Sequence, residues 1–277
     1  KERALVSSVP YTSTNPIHTG SPSQPNHYPK VPYSNSITLG IRISIYEYWG
    51  NTNIQSITTC MDYAEATGVK ESFASRLKNA LIDYKWDKLL RIKTTGWDAS
   101  NSDKNHYPYE PTSYSVLERL AFSGYINKKN VLLDYGCGKG RVDFFMSYQT
   151  RCKTIGVEYD ERLFVDAIDN SKYAISGKKT SFCYENAEDY EVPTTVDRCY
   201  FFNPFSVEIL KKVISKVMKS YYDRPREILM FFYYPSDEYV AHLMTESELE
   251  FLDELDCTDL FDSFNERERI VIFKVAL

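Results

Sequence analysis

The run Val131-Leu132-Leu133-Asp134-Tyr135-Gly136-Cys137-Gly138-Lys139-Gly140 restricts this chain more than any other part of it. Three apolar residues lead into an acid, and then a loop places glycine at every second position. Arg141 and the apolar Val142, Phe144, Phe145 and Met146 follow. This order predicts a short buried strand, a tight loop and a helix. Glycines permit positive φ and let a ligand approach the backbone. The helix start offers unpaired N–H groups to a polar ligand group. The second strand ends in Gly156-Val157-Glu158, which puts a carboxylate where folds of this kind grip ribose hydroxyls. A dinucleotide fingerprint needs a third glycine where Arg141 stands, so NAD and FAD are disfavoured.

The rest of the C-terminal part repeats the alternation. Strand-like runs occur at 131–134, 154–158, 180–184, 199–202, 227–234 and 269–275, with helical segments between most of them, notably 206–221. Alternation of this sort predicts an α/β domain over 109–277, with a mostly parallel sheet covered by helices on both faces. A helix beginning near Thr112, with Thr112 as its N-cap, carries Leu117, Leu120 and Ala121 inward and ends around Gly124.

Upstream the composition changes. Half of the 12 prolines fall between Pro10 and Pro32 among Ser, Thr, Asn and Gly, which predicts an extended arm over 1–40. Residues 41–108 read as a small, mostly helical cap: one strand over 41–49, then a helix over 71–92 with Phe73, Leu77, Leu81, Trp86, Leu89 and Leu90 on its apolar side. The acidic run 246–254 reads as a solvated helix face, and Glu266-Arg267-Glu268-Arg269 as exposed turn residues.

Bulk properties exclude several classes. Lys and Arg total 33 against 38 Asp and Glu, a net charge of −5, so a nucleic-acid partner is disfavoured. Six cysteines show no CxxC spacing and the four histidines lie far apart, which predicts reduced thiols and no metal site. No apolar run is long enough for a membrane helix and no signal-peptide pattern stands at the start, so a cytoplasmic location is expected.

Residues 131–142 resemble motif I of the class I S-adenosylmethionine-dependent methyltransferases, an acid followed by G-x-G-x-G. The resemblance implies a Rossmann-like methyltransferase fold with a seven-stranded sheet and S-adenosyl-L-methionine as cofactor. It assigns Asp134 to the methionine moiety, Gly136, Cys137, Gly138 and Gly140 to packing against the cofactor, and Glu158 with the adjoining Tyr159 to the ribose side. Asn186-Ala187, after the third strand, resembles the segment that meets adenine, with Asn186 in place of an acid. Asn203-Pro204-Phe205 resembles the N-P-P-[YF] turn of enzymes that methylate amide or base nitrogens, with one Pro where those have two. A group of bacterial methyltransferases shares a G-C-G-K-G-R loop, an N-P-F turn and an aromatic Pro-Thr segment like Tyr109-Glu110-Pro111-Thr112, a likeness that covers roughly residues 105–277.

Asn203, Pro204 and Phe205 are therefore the candidate catalytic residues, and Asn203 also a cofactor contact. Asn203 and the Pro204 carbonyl would orient an amine or amide nitrogen of a protein or small molecule, Phe205 and nearby tyrosines would wall the pocket, and the region before Tyr109 would close over it. A strand-ending turn is the plainer account of these three residues, and for Tyr233-Tyr234 packing is the plainer account. The alternatives are an O- or other small-molecule methyltransferase, a non-catalytic cofactor-binding partner module and, third, a nicotinamide oxidoreductase.

Overall fold

Leu132, Leu133 and Tyr135 of the first strand are almost wholly buried, and the fold is organised around them. The computed structural model describes residues 73–102 and 104–276, with side chains from residue 79 onward. The expected arm over 1–40 and strand over 41–49 lie outside the described residues.

Seven strands form one sheet: β1 (Val131–Tyr135), β2 (Lys153–Glu158), β3 (Thr180–Tyr184), β4 (Arg198–Phe201), β5 (Leu229–Tyr233), β6 (Leu249–Asp256) and β7 (Arg269–Val275). Their order is β3-β2-β1-β4-β5-β7-β6. The first five are mutually parallel. β7 runs antiparallel between β5 and β6. The sheet is thus Rossmann-like and mostly parallel, with an antiparallel hairpin at one side. Every residue of β5 is buried, as a central strand covered on both faces requires.

Side chains alternate across β1. Leu133 and Tyr135 join a core with β4, β5 and the helices α5 (Val207–Asp223) and α6 (Asp237–Thr245). Leu132 joins a second core on the other face with α1 (Phe73–Leu90), α2 (Tyr114–Phe122) and α3 (Arg141–Thr150). A further helix, α4 (Glu161–Tyr173), follows β2. The sequence of α5 shows why it forms: Ile209, Leu210, Val213, Ile214, Val217 and Met218 are buried at helical spacing. Lys212, Lys216 and Lys219 face outward and pair with Glu188 and Glu191.

Three sequence expectations need correction. The acidic run is not a helix: residues 249–256 are the edge strand β6, paired with β7. Thr112 is not the cap of α2; Ser113 holds that position, and the Thr112 hydroxyl instead shares a 3.1 Å hydrogen bond with the Tyr200 hydroxyl. The residues before β7 are engaged rather than simply exposed, since Glu268 accepts a 2.6 Å hydrogen bond from Tyr233 and Arg267 covers the ring of Tyr234 at 4.2 Å.

Candidate functional site

The parallel strands point their carboxyl ends at one cleft, the position where open α/β sheets take ligands. Asp134, Gly136 and Cys137 from the end of β1, Glu158 and Tyr159 from the end of β2, and Pro204 and Phe205 from the end of β4 line it together. Ala187 lies on the same wall, whereas Asn186 is exposed and its carbonyl is used within its own turn by Asp189 and Tyr190. Gly138, Gly140 and Asn203, which the sequence also suggested, are not among the residues that line it.

Glu158 ties two strand ends together. It is 4% exposed, and its Oε1 accepts from the N–H groups of Tyr159 at 3.0 Å and Asp160 at 2.9 Å. Its Oε2 accepts from the N–H of Gly138 at 2.8 Å, across the cleft floor. Burial raises its pKa, and these three N–H groups oppose the rise. A carboxylate has about four acceptor positions, so one remains for a ligand hydroxyl.

The glycine loop is held in a path only glycine takes easily. Gly138 has a φ of +53°, and a Cβ there would collide with the Tyr109 ring, which lies directly on the loop. Gly136 has a φ of +73°, and a Cβ there would come within 2.7 Å of Pro204, so loop and N-P-F turn are in close apposition. Arg141, at 2% exposed, is a brace. Its guanidinium bonds to Asp83 at 3.1 Å, Thr94 Oγ1 at 2.8 Å and the Thr112 carbonyl at 3.2 Å, and stacks on Tyr114 at 4.4 Å. Burial opposes its charge, but Asp83, Tyr114 and Asp87 raise its pKa above the ordinary value.

Behind the loop two acids meet on the α3 face of the sheet. Asp134 is 2% exposed and Asp143, from the first turn of α3, is fully buried. Burial raises the Asp134 pKa to about 8, with the Asp143 hydrogen bond opposing and Glu158 adding to the rise. Burial and then Asp134 drive Asp143 well above the usual carboxylate range. Asp134 Oδ2 and both carboxyl oxygens of Asp143 are buried, and a proton held between the two acids is what joins them.

A strap running from Asp98 to Thr112, with residue 103 outside the described residues, crosses the cleft. Asn101 donates to Asp160 at 2.8 Å and accepts from the Tyr159 hydroxyl at 2.6 Å. His106 stacks on Tyr159 at 4.1 Å and bridges to Phe205 through its backbone. Tyr107 donates its N–H to the Pro204 carbonyl at 3.3 Å, and Ser206 donates to the Asn105 carbonyl at 2.9 Å. Tyr109 donates its hydroxyl to the Thr94 carbonyl at 2.6 Å. With the strap seated, the cleft retains a cavity of about 90 Å³.

The turn after β4 departs from ordinary backbone. Asn203 has a φ of +43°, and its Oδ1 is buried without a partner. Phe205 is 3% exposed and belongs to the core, while Phe202 is half-buried and lines the cleft. Sequence reasoning missed Asn101, His106, Tyr107, Asp143 and Arg267. For Asp143 a signal existed, a lone acid inside the apolar run 142–146. Among the described residues no His, Cys, Asp and Glu cluster suits a metal ion, and no helix is long and apolar enough to cross a membrane. Cys137, Cys152, Cys183, Cys199 and Cys257 are free thiols.

No family model matches the chain, and neither does any curated protein. Among solved structures it is similar to an RNA methyltransferase from Salinibacter ruber in complex with S-adenosyl-L-homocysteine, at 16% identity over 60% of this chain and 94% of that one, with a TM-score of 0.41. A TehB-like S-adenosylmethionine-dependent methyltransferase from Corynebacterium glutamicum is similar at 14% identity, over 58% of this chain and 88% of that one, with a TM-score of 0.43. A precorrin-6y C5,15-methyltransferase from Geobacter metallireducens aligns at 15% identity, over 59% and 86%, with a TM-score of 0.41.

Proposed function

We propose that this chain is an S-adenosyl-L-methionine-dependent methyltransferase acting on an amine or amide nitrogen. The observation that carries the reading is Glu158, a buried carboxylate at the end of β2 that fixes the glycine loop through Gly138 and keeps an acceptor position beside the cleft. The strand order, with antiparallel β7 inserted between β5 and β6, is consistent with it. Arg141 argues against a dinucleotide, because the position that should be a packing glycine holds a braced guanidinium.

The donor set fits the cofactor. Asp134, which lines the cleft and shares its proton with Asp143, suits the polar end of a methionine moiety, and the remaining acceptor position of Glu158 suits a ribose hydroxyl. Bound there, the cofactor supplies an electrophilic methyl group on a good leaving group. The chain then has to align the acceptor nitrogen and exclude water. Asn203 Oδ1 accepts the N–H of the acceptor and holds its lone pair in line. The Pro204 carbonyl is committed to Tyr107 N–H in the seated strap, so it orients the strap as well as the acceptor. The same strap covers the reacting atoms. The acceptor belongs to a small molecule or a protein, and the net charge of −5 disfavours a polyphosphate chain.

Calorimetry with S-adenosyl-L-homocysteine against NAD tests the cofactor: binding of the first alone is expected, and binding of NAD alone would refute the reading. Transfer of labelled methyl to a panel of amines and amides tests the enzyme, with Asn203→Ala expected to lower turnover by about two orders of magnitude. Full turnover in Asn203→Ala would remove Asn203 from the mechanism.

A further inference from the structure

The aromatic residue of the N-P-F turn does not face the cleft with its ring free. Phe205 packs edge-on against Tyr135 at 6.4 Å and Phe201 at 6.3 Å, and its carbonyl is taken by the Tyr239 hydroxyl. The residue on the other side of Asn203 is placed differently. Phe202 is half-buried, lines the cleft beside Pro204, and is backed by Tyr233 at 4.7 Å and Tyr234 at 6.4 Å.

Tyr234 is held at a backbone angle that an aromatic residue seldom adopts, with φ at +51°. The connection between β6 and β7 clamps it there. Arg267 covers its ring at 4.2 Å and donates to its carbonyl and to that of Pro235, each at 3.2 Å. Asn265 donates to its hydroxyl at 2.8 Å, and its own N–H reaches the Arg269 carbonyl at 3.0 Å. Two neighbouring parallel strands, β4 and β5, are therefore each followed within two residues by a left-handed residue that is not glycine, Asn203 and Tyr234. Strain kept at such a pair of positions is the mark of side chains whose placement matters.

We propose that Phe202 is the aromatic contact for the acceptor, that Tyr234 is the positioning residue that sets its ring, and that the acceptor nitrogen is borne on an aromatic ring. The proposal rests on the methyltransferase reading and deepens it. A ring laid flat against Phe202 carries its attached amide or amine in the ring plane, where its N–H can meet the unpartnered Asn203 Oδ1. An aliphatic amide offers the same N–H without a face to stack.

Benzamide and propionamide are the probes. Their binding to the full chain is followed by ligand-observed NMR, with and without S-adenosyl-L-homocysteine, while calorimetry follows S-adenosyl-L-homocysteine itself. Benzamide is expected to bind and propionamide not. Phe202→Ala should weaken benzamide about tenfold, with the loss falling on benzamide rather than on S-adenosyl-L-homocysteine. Phe202→Tyr should restore it. Tyr234→Gly tolerates the left-handed angle but removes the support, and should weaken benzamide to a similar degree. Equal binding of the two amides, no binding of either, or benzamide binding indifferent to Phe202→Ala would each overturn the proposal. Loss of S-adenosyl-L-homocysteine binding in the wild type would instead strike the cofactor reading, and the benzamide series without it still reports on Phe202.

Discussion

Glu158 has three of its four acceptor positions filled by backbone N–H groups, so it is an architectural residue besides being the proposed ribose contact. Glu158→Gln replaces one acceptor oxygen with a donor that opposes either Gly138 N–H or the Tyr159 and Asp160 pair. It should cost roughly 1–3 kcal/mol of stability, read by urea denaturation, and weaken S-adenosyl-L-homocysteine by about tenfold or more in calorimetry. The Asp134–Asp143 pair makes a different prediction. Both acids have folded-state pKa values raised above the range in which an unfolded chain titrates. Protonation therefore favours the fold fully below the unfolded pKa, and that contribution is lost as pH rises through about 8. The wild type should lose stability progressively between about pH 4 and about pH 8, and Asp143→Asn should flatten that slope. A slope unchanged by Asp143→Asn would dissociate the pair from the pH dependence.

At the scale of elements, the strap is the part most open to test. The Tyr109 ring lies on Gly138, against the loop proposed to carry the cofactor, so entry requires the ring to leave. Tyr109→Ala should speed S-adenosyl-L-homocysteine association on the order of tenfold in stopped-flow measurements, because less of the protein is held in the closed arrangement. The elements themselves were unevenly legible. The glycine loop and β1 read clearly because glycine and buried apolar runs act locally. The helix over 73–90 was visible from its apolar spacing. β6 was misread for a physical reason: Leu249, Leu252 and Leu255 repeat every three residues and imitate a helix face, while pairing with β7 decides the outcome. A cover from the region before Tyr109 was expected, but the strap's individual contacts had no local signal. Its partners, such as Asn105 with Ser206 and Asn101 with Asp160, lie far apart in sequence, and only the tertiary fold brings them together. Asn203 was legible as part of a strand-ending turn, but its orphaned Oδ1 and the inward turn of Phe205 were not.

Over the whole molecule, the upstream helix and the α/β sheet share one core. Trp86 donates to Glu118 at 3.1 Å and packs edge-on against Phe145 at 4.9 Å, and Leu90 and Ile92 are buried. Arg141 draws its carboxylate partners from the same helix. A fragment of residues 109–277 would therefore leave a buried guanidinium without its counter-charges, a loss of about 3–5 kcal/mol. It should show no cooperative melting transition by circular dichroism, whereas a chain beginning at residue 73 should retain one. A cooperative transition in the shorter fragment would mean that the sheet domain stands without the helix.

The edge strand β6 has a consequence for how copies of this protein behave at high concentration. Among the described residues it leaves one row of backbone donors and acceptors without a neighbouring strand, the arrangement through which sheets add to one another. Glu250, Asp253, Glu254 and Asp256 are carried along it, and a bulge between Phe251 and Asp253 breaks its regular register. Two such edges brought together would set carboxylate against carboxylate along an irregular seam. The strand that sequence alone made look like a helix should therefore resist edge-to-edge growth near neutral pH, and resist it less where its carboxylates are protonated.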